Sequence, residues 1–408
     1  MILNEMQWVL TRRKFLRNSS LAVGAAAFGS PALFSAAALN REGQKYRAAI
    51  IGHTGRGDYG HGLDVIFNDH DAIHVVAVAD PNAAGRAKVV ERTKAPRQYD
   101  DYREMLEKEK PQLVSIAPRW TDQHHAMAMA ALKAGAHIFM EKPIMQTLVE
   151  ADEVLATADR AGLKITVAHQ MRLAPGIVQL KKALEEGLIG NLMQIRAWGK
   201  QDARAGGEDM LVLGTHLFDL MRLFAGDALW CTARVTQNGR DIMRKDSRAP
   251  TENIGPVVGD EIEAQFGFAR GINASFTSRG KLRERVGHWG IELLGSKTSA
   301  RILADIFPAV YVQKPGEWEA AGRTEQWRPW ENDPGVNATA IERGSGLANR
   351  RLVDDWLEAI EKSREPGCSG RNAMKALELV MAVYQAALFG TRVAIPLIER
   401  KHPLAQPG

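Results

Sequence analysis

Tyr46-Arg47-Ala48-Ala49-Ile50-Ile51-Gly52-His53-Thr54-Gly55-Arg56-Gly57 is the stretch on which the reading of this chain turns. A short apolar run leads directly into a glycine-rich turn. Beyond it, Leu63, Val65, Ile66 and Phe67 predict a helix starting near Gly60. Strand, glycine turn and helix in that order form the setting in which a loop cradles phosphate through its backbone N–H groups and the helix N-terminus. Set against G-x-G-x-x-G, the three positions are Gly52, Thr54 and Gly57, with Thr54 in the middle place and Gly55 beside it. Gly52, Thr54, Gly55, Arg56 and Gly57 are therefore candidates for holding a dinucleotide.

Working outward, Ile73 to Ala79 predicts a second strand, and it ends at Asp80. An acid at the end of the second strand, roughly 20 residues past the loop, hydrogen-bonds the adenosine ribose and repels a 2′-phosphate. That favours NAD, while Arg86 nearby keeps NADP open. Taken alone, Asp80 reads equally well as a helix cap before Pro81. The alternation continues with a helix over Tyr102 to Glu109 and a strand over Leu113 to Ala117 that ends at Pro118. A helix follows over Thr121 to Ala134. Pro118 and His124, at and just past that strand end, join the cofactor-facing candidates.

His137-Ile138-Phe139-Met140-Glu141-Lys142-Pro143 is the next strand, and it ends in two charges and a proline. Ligands of open parallel sheets lie beyond the carboxyl ends of the strands. Glu141 and Lys142 stand at such an end, although a surface ion pair is the plain alternative. A helix over Leu148 to Ala161 and a strand over Leu163 to Ala168 complete a doubly wound parallel sheet.

After His169 the pattern changes. Pro175 to Glu186 is helical. Met193–Trp198, Trp230–Thr236, Asp260–Phe268, Gly271–Arg279 and Gly290–Gly295 predict strands of an open, mostly antiparallel sheet. A helix over Asp209 to Phe224 interrupts them. Residues 247–255 and 316–337 read as irregular loops. Late helices within 345–390 are expected to pack back on the core. The predicted fold is thus α/β: an N-terminal Rossmann domain over residues 41–169 and a C-terminal α+β substrate-binding domain over residues 170–400.

The chain has 408 residues, 45% hydrophobic and 25% charged, with a formal net charge of +5. Four basic residues against one acid in residues 1–38 carry +3 of it, so the remainder carries +2 and gives no reason to propose nucleic acid. Cys231 and Cys368 are too few for a disulfide framework or a thiolate metal site, and the eleven histidines show no metal spacing. Thr11-Arg12-Arg13-Lys14-Phe15-Leu16-Arg17, an Ala/Gly-rich apolar run and Ala36-Ala37-Ala38 have the layout of a signal peptide. The paired arginines are the twin-arginine form. Residues 1–40 are read as that address. It implies twin-arginine export machinery as a partner, a periplasmic or exported location and no membrane anchoring of the mature chain.

The whole stretch from Tyr46 to Leu397 resembles the Gfo/Idh/MocA oxidoreductases. The carriers are Ile50 to Gly57, Asp80, Ala134 to Pro143, Gly187-Leu188-Ile189-Gly190-Asn191, Gly214-Thr215-His216-Leu217-Phe218-Asp219-Leu220 and Gly390 to Leu397. The resemblance implies that Lys142 lies between nicotinamide and substrate, that Pro143 sets its turn, and that His216 is the catalytic histidine. Many members have an aspartate four residues before that histidine, where this chain has Val212.

The chemistry of the residues agrees with this role. A lysine desolvated beside a cationic nicotinamide has a lowered pKa and can take a hydroxyl proton. His169, Arg172, Asp209 and Thr215 are substrate-side candidates together with His216, and no metal is expected. The implied activity is hydride transfer between tightly bound NAD(P) and a hydroxyl of a sugar, glycoside or polyol. Redox-neutral, oxidation-assisted glycoside cleavage is the alternative, and a weakened cofactor-binding relative is the third reading. A homo-oligomer, dimer or tetramer, is expected to form through the uncovered face of the second sheet.

Overall fold

The computed structural model describes residues 44–280, 289–313, 327–339 and 341–405. The twin-arginine stretch and residues 316–326 of the expected loop lie outside them.

The first half alternates strand and helix in the order β1 (Tyr46–Ile51), β2 (Ile73–Ala79), α1 (Ala83–Thr93), β3 (Arg97–Tyr99), α2 (Tyr102–Glu109), β4 (Leu113–Ile116), α3 (His124–Lys133), β5 (His137–Met140), α4 (Leu148–Ala161) and β6 (Ile165–Val167). All six strands are parallel, in the order β3-β2-β1-β4-β5-β6. β4, β5 and β6 are buried at every residue, as a sheet covered on both faces requires. The chain direction across the sheet reverses between β1 and β4, which opens a crevice at the strand ends there. Helix ends are set locally. Thr147 and Glu150 form a reciprocal capping box on α4, and Gly162 closes that helix in the left-handed conformation.

The helix expected near Gly60 does not form. Gly55, Gly57, Asp58, Gly60 and Gly62 all have positive φ, between 50° and 84°, which a right-handed helix excludes. Residues 52–70 run instead as successive turns, with Leu63, Ile66 and Phe67 still buried. The apolar spacing reports burial correctly, and the glycines decide the backbone. The short β3 and helix α1 were not read from the sequence.

The second half begins with α5 (Pro175–Glu185) and β7 (Leu192–Trp198), then the short helix α6 (Gly207–Asp209). A π-helical segment, Met210–Gly214, runs on from it into α7 (Thr215–Ala225). Then come β8 (Ala228–Gln237), β9 (Arg240–Asp241), β10 (Glu261–Phe268), β11 (Asn273–Arg279), β12 (Gly290–Gly295), β13 (Ser299–Leu303), β14 (Ala309–Gln313), β15 (Trp327–Pro329), α8 (Ser345–Glu361), α9 (Gly370–Phe389) and β16 (Val393–Ala394). The sheet order is β15-β14-β13-β12-β7-β11-β10-β8-β16, with β9 beside β8. Every pair is antiparallel except β7 with β11. Helix α8 lies against the first sheet: its Trp356 ring is 6.4 Å from Phe67 and 5.9 Å, edge-on, from Phe139. Cys231 and Cys368 are both free and buried.

The outward face of the second sheet is mixed: Glu263, Gln265 and Asn273 are exposed and Arg301 pairs with Glu292 across β12 and β13, while Trp198, Trp230 and Tyr311 lie half-buried on the same face.

Candidate functional site

The crevice at the switch point has a volume of about 230 Å³. Gly52, His53, Asp80, Pro81, Tyr102 and Met127 are among its walls. A flat, partly apolar slot with carboxylates at its edge fits the adenosine half of a dinucleotide. Gly57 is required by packing as well as by its φ of +83°, because a Cβ there would lie 2.5 Å from the Trp120 nitrogen. At Gly55 a Cβ would meet nothing within 4 Å. Arg56 reaches across to pair with Asp122 and lies over the Trp120 ring.

Asp80 has an unexpected set of partners. Its carboxylate is fully buried and accepts from Thr54 N (3.0 Å), Thr54 Oγ1 (2.6 Å), Tyr59 Oη (2.6 Å) and Asn82 N (2.8 Å). Four donors fill the acceptor capacity of a carboxylate. Asp80 thus pins the glycine loop to the end of β2, and Thr54 owes its place in that loop to this bond. The partnership with Tyr59 was not legible in the sequence.

Glu141 and Lys142 follow β5 directly and diverge in role. Glu141 is fully buried and accepts from His61 N (2.7 Å), His61 Nδ1 (2.6 Å) and Lys142 N (3.0 Å). Burial alone would raise its pKa, but His61 and Lys142 outweigh that and hold the carboxyl below its ordinary value. Gly60 leaves room for this clamp, since a Cβ there would sit 2.3 Å from Glu141 Oε1. Glu141 braces the turn that carries Lys142 against the His61 segment.

Lys142 is 6% exposed, and its Nζ donates to the main-chain oxygen of Val212 at 3.0 Å. Its pKa is lowered, first by burial and then by Arg204 and Arg119, against the opposing pull of Glu141 and Glu252. A neutral amine that gives one N–H to a carbonyl keeps its lone pair for a proton.

β6 ends at Val167, the partner of Met140, and the Ala168 N–H donates to Met140 O at 2.9 Å, so His169 emerges on the same side of the sheet end as Lys142. The His169 and His216 rings meet edge-to-face with centroids 5.1 Å apart, and Trp289 closes on His216 at 5.9 Å. Among the described residues neither His169 Nε2 nor His216 Nδ1 has a hydrogen-bond partner. Burial lowers both pKa values: His169 falls to about 4, and His216 falls well below its ordinary value with help from His169 and Lys142. Two neutral imidazoles with unused nitrogens thus stand beside the lysine.

Four other sequence candidates lie in structural bonds. Arg172 donates to Asp219 Oδ1 at 2.9 Å and to its main-chain oxygen at 3.1 Å, an ion pair that ties the β6 exit to α7. Asp209 is fully buried and accepts from Ser278 Oγ (2.6 Å), Gln201 N (3.1 Å) and Lys200 N (3.2 Å), which fixes the end of β7. Burial raises its pKa despite these bonds. Thr215 donates within its own helix to Leu211 O. His124 is buried with Nε2 2.7 Å from Pro118 O and Nδ1 3.1 Å from Ile144 O, so it staples the two strand exits together and holds Pro118 through its carbonyl. Each residue type offered hydrogen-bonding capacity to the sequence reading, and in each case the protein interior took it. His61, Trp289, Arg119 and Glu252 were missed. His61 and Glu252 carried no local signal, since their partners are distant in sequence. Among the described residues no group of three or more His, Cys, Asp or Glu side chains could hold a metal ion.

Comparison with known proteins agrees with this geometry. Residues 46–169 match the oxidoreductase family model described as an NAD-binding Rossmann fold, and residues 181–395 match the family's C-terminal alpha/beta domain. D-apiose dehydrogenase of Paraburkholderia graminis is 26% identical over 88% of this chain and 92% of its own. Levoglucosan dehydrogenase of Pseudarthrobacter phenanthrenivorans is 26% identical over 55% of this chain and 63% of its own. Among solved structures, a levoglucosan dehydrogenase in complex with NADH and L-sorbose superposes with a TM-score of 0.70 at 22% identity, covering 87% of this chain and all of that one. With both domains matched in order over residues 46–169 and 181–395, the chain belongs to the Gfo/Idh/MocA oxidoreductase family.

Proposed function

We propose that this protein is an NAD-dependent oxidoreductase acting on a hydroxyl of a sugar, glycoside or polyol. The observation that carries the reading is Lys142, buried at the end of β5, its amine held on the Val212 carbonyl and flanked by two neutral histidines. The relatives named for D-apiose and levoglucosan support the carbohydrate class. Gly52, Pro81, Tyr102 and Met127 would hold the adenosine half, and the Gly55–Gly57 turn would lie along the phosphates. Asp100 and Asp101 at the crevice, against Arg103, favour NAD over NADP, because a 2′-phosphate would meet two carboxylates.

Bound NAD would supply the acceptor for a hydride from the carbinol carbon. The chain's residues handle the proton. Lys142 takes it from the hydroxyl onto its lone pair, and His216 Nδ1 and His169 Nε2 orient neighbouring hydroxyls. The buried setting of Lys142 lowers its pKa and so favours its neutral form.

Export by the twin-arginine route belongs to the same proposal. That route carries folded proteins, and outside the cytoplasm no free dinucleotide pool exists, so the cofactor would be held tightly and reset within each turnover. The purified protein is expected to carry nicotinamide by absorbance and mass. An empty protein that needs millimolar added NAD would overturn tight binding, and turnover in a pyranoside and polyol screen tests the activity itself.

A second reading, oxidation-assisted glycoside cleavage, is favoured by the number of proton-handling groups gathered here, since elimination and re-addition need more than one. Net hydrolysis without net redox selects it. A homo-oligomer remains part of the proposal, to be read from sedimentation.

A further inference from the structure

The inner face of the second sheet carries an apolar row along β12. Leu293 and Ile291 are fully buried, and Ile291 is flanked by buried Ala197 on β7 and Ile302 on β13. Side chains two positions apart share one face of a strand, so Trp289, just before β12, continues this row. Its main-chain oxygen accepts from Ala304 N at 2.8 Å, which extends the pairing with the β13 side by one step. Carried one residue further, the β12–β7 register sets Trp289 against Gly199. A side chain at Gly199 is excluded, because its Cβ would lie 2.0 Å from Asp209 Oδ2. The indole thus has a bare glycine beside it on the sheet. Against it stands His216 at the start of α7, with ring centroids 5.9 Å apart and 62° between the planes. Both rings are only half-buried.

We propose that Trp289 determines specificity by stacking on the apolar face of a cyclic carbohydrate, a pyranose or pyranoside whose reacting hydroxyl reaches Lys142. The proposal rests on the reading of this cleft as a carbohydrate site, and it narrows that reading to ring-closed substrates. The cleft offers two kinds of surface. Lys142 is tied to Val212, four residues before His216. Among the described residues His216 Nδ1 and His169 Nε2 have no hydrogen-bond partner, so they keep their capacity for hydroxyls. Trp289 sets an aromatic surface against these polar groups. A pyranose with equatorial hydroxyls has the same division: the hydroxyls project around the rim, and the axial C–H bonds leave both faces apolar. An aromatic ring covers such a face while polar groups take the rim. The edge-to-face contact of His216 with Trp289 holds the two surfaces at a fixed angle. An open-chain polyol has no flat face to offer. A residue needed only to seal the core would be served by an aliphatic chain, as Leu293 and Ile291 serve the rest of the row.

The test uses the cofactor-loaded protein and two sets of probes: the methyl pyranosides of glucose, galactose, mannose and xylose, and D-glucitol as an open-chain counterpart. Saturation-transfer NMR reads binding, and steady-state kinetics read turnover. In Trp289→Leu the KM for an accepted pyranoside is expected to rise roughly 10-fold or more while kcat stays within a few-fold, the pattern of a lost binding contact. Its NMR signal should weaken in step, and the response to D-glucitol should change little. Trp289→Phe keeps a ring in the row and is expected to recover most of the affinity. A pyranoside KM unmoved in Trp289→Leu, an equal rise for D-glucitol, or no recovery in Trp289→Phe at wild-type Tm would overturn the stacking role and leave the oxidoreductase reading standing. A pyranoside that binds through Trp289 and is never oxidised would overturn that reading instead and leave the stacking role in place. Wild-type protein that binds none of the four pyranosides would overturn the proposal.

Discussion

The amine of Lys142 donates to the main-chain oxygen of Val212, 3.0 Å away and 70 residues along the chain. Val212 lies in the middle of the π-helical segment Met210–Gly214. π turns inside α-helices recur at functional sites because they displace backbone groups from the regular ladder. The lysine is held by the backbone of residue 212, so the side chain there is free to be apolar.

This predicts a sharp contrast between two substitutions. Lys142→Met is expected to lower kcat by about 10²–10⁴-fold, with nicotinamide retention unchanged by absorbance. Val212→Ala is expected to keep activity within a few-fold, because the carbonyl stays, while stability falls by about 1–3 kcal/mol through lost packing. If Val212→Ala fell as far as Lys142→Met, the side chain and not the backbone would be the operative group.

His216 and His169 make a second contrast. His216→Phe preserves the edge-on packing with His169 and Trp289 but removes the unpaired Nδ1. A drop of kcat/KM of roughly 10²-fold or more, at unchanged Tm, is expected. Because burial holds both rings neutral, the protonation of either one should not shape the rate between pH 6 and 8. A step in kcat/KM assignable to His216 in that window would contradict the assignment.

Gly57 and Gly55 share a φ of +83° but differ in surroundings. Gly55→Ala meets only backbone strain, about 1–2 kcal/mol. Gly57→Ala meets the same strain and also drives a methyl into the Trp120 backbone. Calorimetry should show Gly57→Ala as the more destabilised, with the larger loss of retained nicotinamide.

Acid stability has a distant origin. His402 is 7% exposed, its Nδ1 accepts from Leu404 N at 3.2 Å, and burial lowers its pKa from 6.5 to about 4. His137 is similar: its Nδ1 accepts from Lys164 N at 2.9 Å and its pKa falls to about 4. Protonation removes both acceptors. The unfolded chain takes up protons near pH 6.5 and the folded one only near pH 4. Stability is therefore complete above pH 6.5, declines as the pH falls between these values, and is lost through pH 4. The full shift at one such histidine is worth about 3 kcal/mol. His402→Gln should flatten the decline of Tm between pH 6.5 and 4, as followed by circular dichroism, and an unaltered slope would exclude His402.

Local chemistry alone determined much of this protein. Apolar runs of strand length, punctuated by glycine and proline, gave the parallel sheet and placed Lys142 at a strand end. The change of period after His169 gave the second, mostly antiparallel sheet. These features were legible because side-chain spacing and turn residues act within a few positions. Residues 60–67 mark the limit even of local reading: their spacing is helical, yet the run of positive φ from Gly55 to Gly62 keeps the helix from forming.

Only the tertiary structure decided which polar groups are at work and which are bound up in the frame. Asp209, Arg172 and His124 looked like site residues, and each is held by bonds to segments that packing brings together. The Val212 carbonyl, the ring of His169 against His216, and Glu252 beside Arg119 carry no local sequence signal, because each acquires its meaning from a partner at least 40 residues away. A hydrogen bond or a Coulomb contact depends on distance in space, and that distance is set by the folded chain as a whole.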